Sequence, residues 1–236
     1  MSAGPTPFTV GIPVLNEEAI LVPNTERLLA HLDTLGRDYE VIIGSNGSTD
    51  STTTLGADLS RRFPRVSFFH IPEKGVGLAF KEFVRRARHP FLVSVDMDLS
   101  VELAFIATAV DLLETHDIVV GSKKMGNQQR SLFRKLGSDS FLHATRLLLG
   151  LTYDDYSLAA KGFRVEILRR FMDRINVGSS YVLEICYLTK LAGGRIVQVP
   201  VTCEDWRQSK FNLWHEAFYK YSHLVRLWLR GRRGTR

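Results

Sequence analysis

Asp96 and Asp98 stand two residues apart at the close of the apolar run FLVSV. On a strand, that spacing sends both carboxylates off one face. Two like charges that close repel and raise a pKa unless a cation sits between them. A hard divalent ion bridging to substrate phosphates is the usual reason for such a pair. The D-x-D also suits two solvated carboxylates capping the helix that follows.

Cations come next. The segment GSKKMGNQQRSLFRKLGSDSF concentrates Lys123, Lys124, Arg130, Arg134 and Lys135. Arg134 and Ser138 are spaced i, i+4, so a helix there puts guanidinium and hydroxyl on one face. That pair can bind an anionic oxygen, with Arg able to do so bidentately. The same stretch also reads as a solvated basic loop. Further on, WRQSKF brings Arg207 and Lys210 together, cationic donors suited to a diphosphate or a lipid headgroup. No histidine presents itself as a catalytic base.

Elements that could position these groups are legible. Apolar runs recur at 8–14, 39–45, 66–72, 91–96, 117–122 and 195–201. Between them, apolar residues at spacings of three and four predict helices over Ile20–Leu35, Leu78–Ala87 and Leu103–Leu113. Strands alternating with helices predict an α/β chain with a mostly parallel, Rossmann-like sheet flanked by helices. Ligands of such sheets bind outside the carboxyl ends of the strands. Those ends carry IPVLNEE, GSNGSTD, HIPEKGVG, VDMDLS and VGSKKM. Asn16 with Glu17 and Glu18 suits a helix start, and Ser48, Thr49 or Asp50 can cap a helix beginning near Ser51. EKGVGLAF lacks the third glycine of a dinucleotide fingerprint, so NAD binding is set aside.

Composition excludes several classes. With 236 residues, 44% hydrophobic and 24% charged, the chain is ordinary globular material. Cys186 and Cys203 have no metal-ligand spacing, which argues against a disulfide framework or zinc site and fits a reducing compartment. The N-terminus lacks the pattern of a secretory signal, and no apolar run is long enough to span a bilayer. Net charge is +6, and five of those charges fall within 211–236. Such confinement argues against nucleic-acid binding, which would spread a basic stripe over the body. In this tail Phe211, Trp214, Phe218, Tyr221, Val225 and Trp228 are spaced 3-4-3-4-3. That stripe predicts an amphipathic helix, either lying in a membrane interface or packed on the core with a basic end. The expected organisation is one domain over 1–210 and a basic, aromatic helical tail over 211–236.

In order and spacing, I-P-V-L-N-E-E, S-N-G-S-T-D, K-G-V-G-L-A and D-M-D-L resemble the family-2 glycosyltransferases of GT-A fold. The branch most resembled is that of dolichol-phosphate mannose synthase and the polyprenyl-phosphate glycosyltransferases. Gly162–Arg164, Val199–Val201 and Ser209–Lys210 extend the likeness, which covers Thr9 to Leu213. It implies a nucleotide-sugar donor cradled by Pro13, Leu15, Asn16, Glu17, Ser45, Lys74 and Gly75. It implies Mg²⁺ or Mn²⁺ held by Asp96 and Asp98 on the donor diphosphate, with Met97 between them. Lys123, Arg134 and Ser138 match an acceptor-phosphate site, and Arg207 and Lys210 match a basic motif that closes over the diphosphate. Asp96, Asp98, Arg134 and Arg207 are the implied catalytic groups.

Three departures stand out. Ser45 and Asn46 replace a pair of aspartates, which leaves the donor base open. Ser100-Val101-Glu102-Leu103 replaces Gln-His-Pro-Pro-Glu after the D-x-D-L. Leu158-Ala159-Ala160-Lys161 precedes Gly162-Phe163-Arg164, where the family has an acid that is here absent or displaced to Asp154 or Asp155. The implied reaction is inverting, metal-dependent transfer of a hexose to a polyprenyl or dolichyl phosphate. It would take place at the cytoplasmic face of a membrane reached through the tail. One rival is a GT-A enzyme acting on a sugar or protein hydroxyl, with Asp154, Asp155 or Glu184 as base. Another is a non-catalytic module that binds nucleotide sugar or membrane.

Overall fold

The computed structural model describes residues 4–123, 132–156, 158–203 and 213–233. Seven strands form one sheet in the order β3-β2-β1-β4-β6-β5-β7. In chain order they are β1 (Phe8–Val14), β2 (Tyr39–Asn46), β3 (Val66–Ile71), β4 (Phe91–Ser94), β5 (Ile118–Ser122), β6 (Lys161–Arg164) and β7 (Ile196–Pro200). All neighbours are parallel except β6, which runs antiparallel between β4 and β5. The predicted runs therefore became strands, and β6 is the addition. Its four residues, KGFR, contain a lysine and a glycine and no alternation, so period alone could not find it.

Helices cover both faces. They are α1 (Glu18–Asp33), α2 (Thr52–Arg62), α3 (Val76–Arg86), α4 (Ala104–Leu113), α5 (Leu132–Leu149), α6 (Val165–Phe171), α7 (Tyr181–Leu191) and α8 (Leu213–Arg233). Strand alternation sorts the core into two layers. Val41 and Ile43 join Leu28, Leu32, Ile106 and Val110 beneath α1 and α4. Ile42 joins Phe80, Phe83, Leu168 and Leu183 beneath α3, α6 and α7. A parallel sheet buried on both faces reads as near-continuous apolar sequence, as VII in β2 does.

The strand order fixes where a ligand can sit. From β1 the chain passes outward to β2 and β3, then returns to place β4 on the other side of β1. The crevice between the carboxyl ends of β1 and β4 is thus a topological switch point. Because β6 is antiparallel, its first residue, Lys161, pairs with Ser94 and Val120 at that same edge.

Candidate active site

The loops after β1 and β2 are laced to each other. Asn16, in the left-handed region at φ 54°, accepts the Thr49 N–H on its side-chain oxygen at 2.8 Å. The amides of Asn16, Glu17 and Glu18 donate to Ser48 Oγ, Thr52 Oγ1 and Asp50 Oδ2. Glu18 returns the exchange by accepting the Ser51 N–H at 2.9 Å. Asn16 thus serves the neighbouring loop, not the start of α1 as expected from its residue type. Asp50 does cap α2, accepting the Thr52 N–H at 3.0 Å. Slight burial works against that carboxylate, but its bonds from Thr52 and Glu18 hold it below the ordinary range.

Ser45 is fully buried at the end of β2, its hydroxyl between Ser48 Oγ at 2.9 Å and His70 Nδ1 at 3.0 Å. Asn46 next to it is a brace. Its amide donates to Val14 O at 3.3 Å and accepts the Gly75 N–H at 3.3 Å. Gly47 turns at φ +80°, and a Cβ there would meet Lys74 Cγ at 2.5 Å, so the 74–75 turn lies directly on it. From the other side Gly77 N donates to Val177 O at 3.0 Å. Asn176, next along, gives its N–H to Glu184 and accepts the Tyr219 hydroxyl. Pro13 pairs with Gly44 inside the sheet, while Leu15 is exposed.

The carboxylates converge differently from the expectation. β4 ends at Ser94, so Asp96 and Asp98 lie in the turn beyond it, not on a strand. The last ladder bond is Val95 N to Gly11 O, after which Leu99 N closes on Asp96 O with Leu99 at φ 49°. Met97 is buried and its carbonyl accepts Asn24 Nδ2 at 2.9 Å. Asp98 Oδ1 accepts the Ser100 N–H at 3.0 Å. Burial, then the charge of Asp98, pushes the Asp96 carboxyl up to about 6, against a hydrogen bond from the Ala159 backbone and the charge of Lys161.

Lys161 is the residue sequence reasoning passed over, having noted it only inside a departure from the family pattern. Fully buried, it donates to Leu158 O at 2.7 Å. Burial lowers its pKa, while Asp155, Cys186 and Asp96 support the charged form. Asp155 accepts the Leu158 N–H at 2.9 Å, and Asp154 exchanges two bonds with Gln198. Glu184 is buried on α7 facing Asn176, His223 and Arg230. The three acids weighed as general bases are thus all engaged in holding backbone or side chains.

Lys123 follows β5 directly and is buried. Lys124, Arg130, Arg207 and Lys210 lie outside the described residues, as do the side chains of Arg134, Lys135 and Ser138 on α5. The approach to 204–210 is described: Cys203 bridges to Val101, and Thr202 N donates to Glu102 Oε1 at 2.9 Å. Cys203, the last described residue before 204–212, thus lies beside Val101, three residues beyond Asp98. Among the described residues no three His, Cys, Asp or Glu side chains gather as a metal-binding group.

In α8, Leu224 and Leu227 are buried in the second core layer and Trp228 packs partly against it. Tyr221 bonds Ser140 of α5 at 2.7 Å and meets the Phe141 ring edge-on. The expected apolar stripe is therefore split: Tyr221 and Trp228 turn to the body, and Val225 is exposed. Phe211 and the side chains of Trp214 and Phe218 lie outside the described residues.

A carboxylate pair at the switch point of a three-layer α/β sheet is the layout of a GT-A glycosyltransferase, and comparison with known proteins agrees. The model of the family "Glycosyl transferase family 2" matches residues 9–172, and the chain belongs to that family. It is similar to glycosyltransferase AglD of Haloferax volcanii, 25% identical over 229 residues, covering 93% of this chain and 36% of that protein. It is 29% identical over 162 residues to an undecaprenyl-phosphate 4-deoxy-4-formamido-L-arabinose transferase of Aeromonas hydrophila, covering 68% of this chain and 49% of the relative. An undecaprenyl-phosphate mannosyltransferase of Micrococcus luteus is 28% identical over 186 residues, covering 72% of this chain and 76% of its own. The chain thus spans half or less of the length of the first two. Among solved structures, glucosyl-3-phosphoglycerate synthase of Mycobacterium tuberculosis, in complex with Mn²⁺, UDP and glucosyl-3-phosphoglycerate, superposes with a TM-score of 0.69. That match is 18% identical and covers 95% of this chain and 79% of the other, a likeness of fold.

Proposed function

We propose that the protein moves a hexose from a nucleotide diphosphate sugar to a polyprenyl phosphate, with inversion at the anomeric carbon. The observation that carries this reading is the Asp96–Asp98 pair at the switch point, one member of which is pushed up by burial and by the other's charge. A divalent Mg²⁺ or Mn²⁺ held by Asp96 and Asp98 would relieve that repulsion. Held by Asp96 and Asp98, a hard cation would complete its shell with water and donor phosphates, as Mg²⁺ commonly does. When bound, it would supply charge neutralisation on the leaving diphosphate.

The chain's own residues do the rest. Pro13, Leu15, Asn16, Glu17, Ser45, Lys74 and Gly75 cradle the nucleoside end, held by the lacing of the two loops. Asp96, Met97 and Asp98 face the diphosphate, with Arg207 and Lys210 closing over it. Lys123, Arg134 and Ser138 take the acceptor phosphate. That phosphate is already an anion at neutral pH, so its oxygen attacks the anomeric carbon without a strong general base. The engagement of Asp154, Asp155 and Glu184 elsewhere supports such an acceptor over a hydroxyl. Catalysis then rests on positioning and charge stabilisation. The 1–210 portion is the catalytic domain, and the 211–236 tail attaches it peripherally to the cytoplasmic face of a membrane. Relatives whose names specify undecaprenyl-phosphate acceptors support this reading.

The test is transfer of label from a panel of GDP- and UDP-sugars into the organic phase, with Mn²⁺ or Mg²⁺ and polyprenyl phosphate present. Transfer from one donor is the expected result and also identifies the base. Donor binding without transfer to any polyprenyl phosphate overturns the acceptor, and absence of donor binding overturns the enzyme.

A further inference from the structure

Helices α5 and α8 meet along a seam marked by the Ser140–Tyr221 bond and the Phe141–Tyr221 ring contact. Leu147 stands seven residues beyond Ser140, two helical turns along the same side of α5. Val225 and Leu229 stand one and two turns beyond Tyr221. All three are exposed, Leu147 at 76% and Val225 and Leu229 at 44% each. These helical positions put the three side chains along the outer edge of the seam, away from Leu224 and Leu227, which are buried in the core.

Cations flank this ridge. Arg146 immediately precedes Leu147 on α5, and Arg226 and Arg230 on α8 are exposed, Arg230 retaining 68% side-chain exposure beside Glu184. After Glu216 the chain carries no further acid and ends with Arg232, Arg233 and Arg236. Among the described side chains of the two helices, Asp139 is the acid.

We propose that this α5–α8 ridge is the surface that lies on an anionic lipid membrane, with Leu147, Val225 and Leu229 inserted at the headgroup boundary and Arg146, Arg226 and Arg230 on the phosphates. Apolar side chains rimmed by cations are the chemistry of an interfacial helix. No helix among the described residues is long and apolar enough to cross a membrane, so attachment by this route is peripheral. A second copy is a poorer occupant, because a two-fold pairing of the ridge brings Arg226 and Arg230 towards their own images. The inference deepens the membrane part of the proposed function. It moves the contact from the aromatic stripe of one helix to a seam between two.

The experiment is flotation of the full chain with phosphatidylcholine vesicles, with and without phosphatidylglycerol, at low and high salt. Wild type floats with the anionic vesicles and releases as salt rises. Leu147→Asp and Leu229→Asp each weaken binding by roughly tenfold, since each removes several methylenes from the interface. Leu191→Asp, at an exposed leucine of α7, floats like wild type. The ridge is overturned if wild type stays in the aqueous fraction, if the ridge variants float unchanged, or if Leu191→Asp fails equally. It is also overturned if wild type is a dimer that Leu229→Asp dissociates. Transfer to a short-chain polyprenyl phosphate in detergent separates the two readings. Ridge variants keep that transfer, whereas flotation of a wild type that transfers to no acceptor leaves the ridge and removes the enzyme.

Discussion

The two ends of the candidate site are built on opposite principles. At the β1–β2 end, Asn16, Glu18, Ser48, Asp50 and Thr52 bond each other's loops. Against slight burial, Asp50 there is pulled below its ordinary range by its bonds from Thr52 and Glu18. At the β4 end, Asp96 is buried beside another carboxylate and pushed up to about 6. One end is a closed hydrogen-bonded frame. The other holds concentrated charge that the surrounding protein balances only in part, through Ala159 and Lys161. In the proposed reading the frame positions the donor while the charged turn acts on its diphosphate. Substitutions at the first end should act on folding and donor binding, and loss of the Asp98 charge at the second on turnover.

The sharpest test of that division is Asp98→Asn, which should reduce transfer on the order of 100-fold or more while leaving the fold intact. Near-normal turnover with added Mn²⁺ would dissolve the distinction. Asp96 gives the next effect, in the opposite direction for stability. Its folded pKa of about 6 lies above the ordinary 3.8, so the folded state holds this proton more tightly than the unfolded state. Stability from this group is present below about pH 4 and lost as pH rises to about 6. Asp96→Asn without metal should therefore match wild type near pH 4 and exceed it above pH 6, by on the order of 3 kcal/mol at most. Denaturant midpoints across that range read the difference, and Mn²⁺ should stabilise wild type more than the variant.

At the framed end, Gly47→Ala combines a left-handed backbone with a Cβ placed 2.5 Å from Lys74 Cγ. It should cost about 1–3 kcal/mol and loosen the 74–75 turn, raising the KM for donor. An unchanged midpoint would mean that the turn is not seated as described. The smallest effect belongs to Tyr219→Phe, which removes one hydroxyl from Asn176 Oδ1, where Gly178 N also donates. A loss of about 0.5–1.5 kcal/mol is expected, with faster amide exchange in α8 and little change in transfer. A large fall in turnover instead would couple α8 to the donor-side turn through Asn176 and Val177.

Legibility followed locality. The runs at 8–14, 39–45 and 117–122 became strands because a sheet covered on both faces asks for apolar residues at nearly every position, while 66–72 became the edge strand, whose burial is mixed. β6 escaped because KGFR has neither length nor period, and its place is decided by partners far away in sequence. Asp50's capping role was readable because it acts two residues ahead of itself. That of Asn16 was not, since its partner, Thr49, stands 33 residues away. The D-x-D was visible as a pair, yet its presentation on a turn depended on where the β4 ladder stops.

By itself the sequence determined the α/β class, the edge where polar loops gather and the charged residue types gathered there, because periodicity and turn chemistry are local properties. Only the tertiary structure decided that Lys161 sits buried near Asp96, that Glu184 serves α8, and that α5 shows Leu147 and α8 shows Val225 and Leu229 outward while Tyr221 and Trp228 turn in. Burial and charge proximity depend on which distant elements pack together, and that is settled when the two faces of the sheet close.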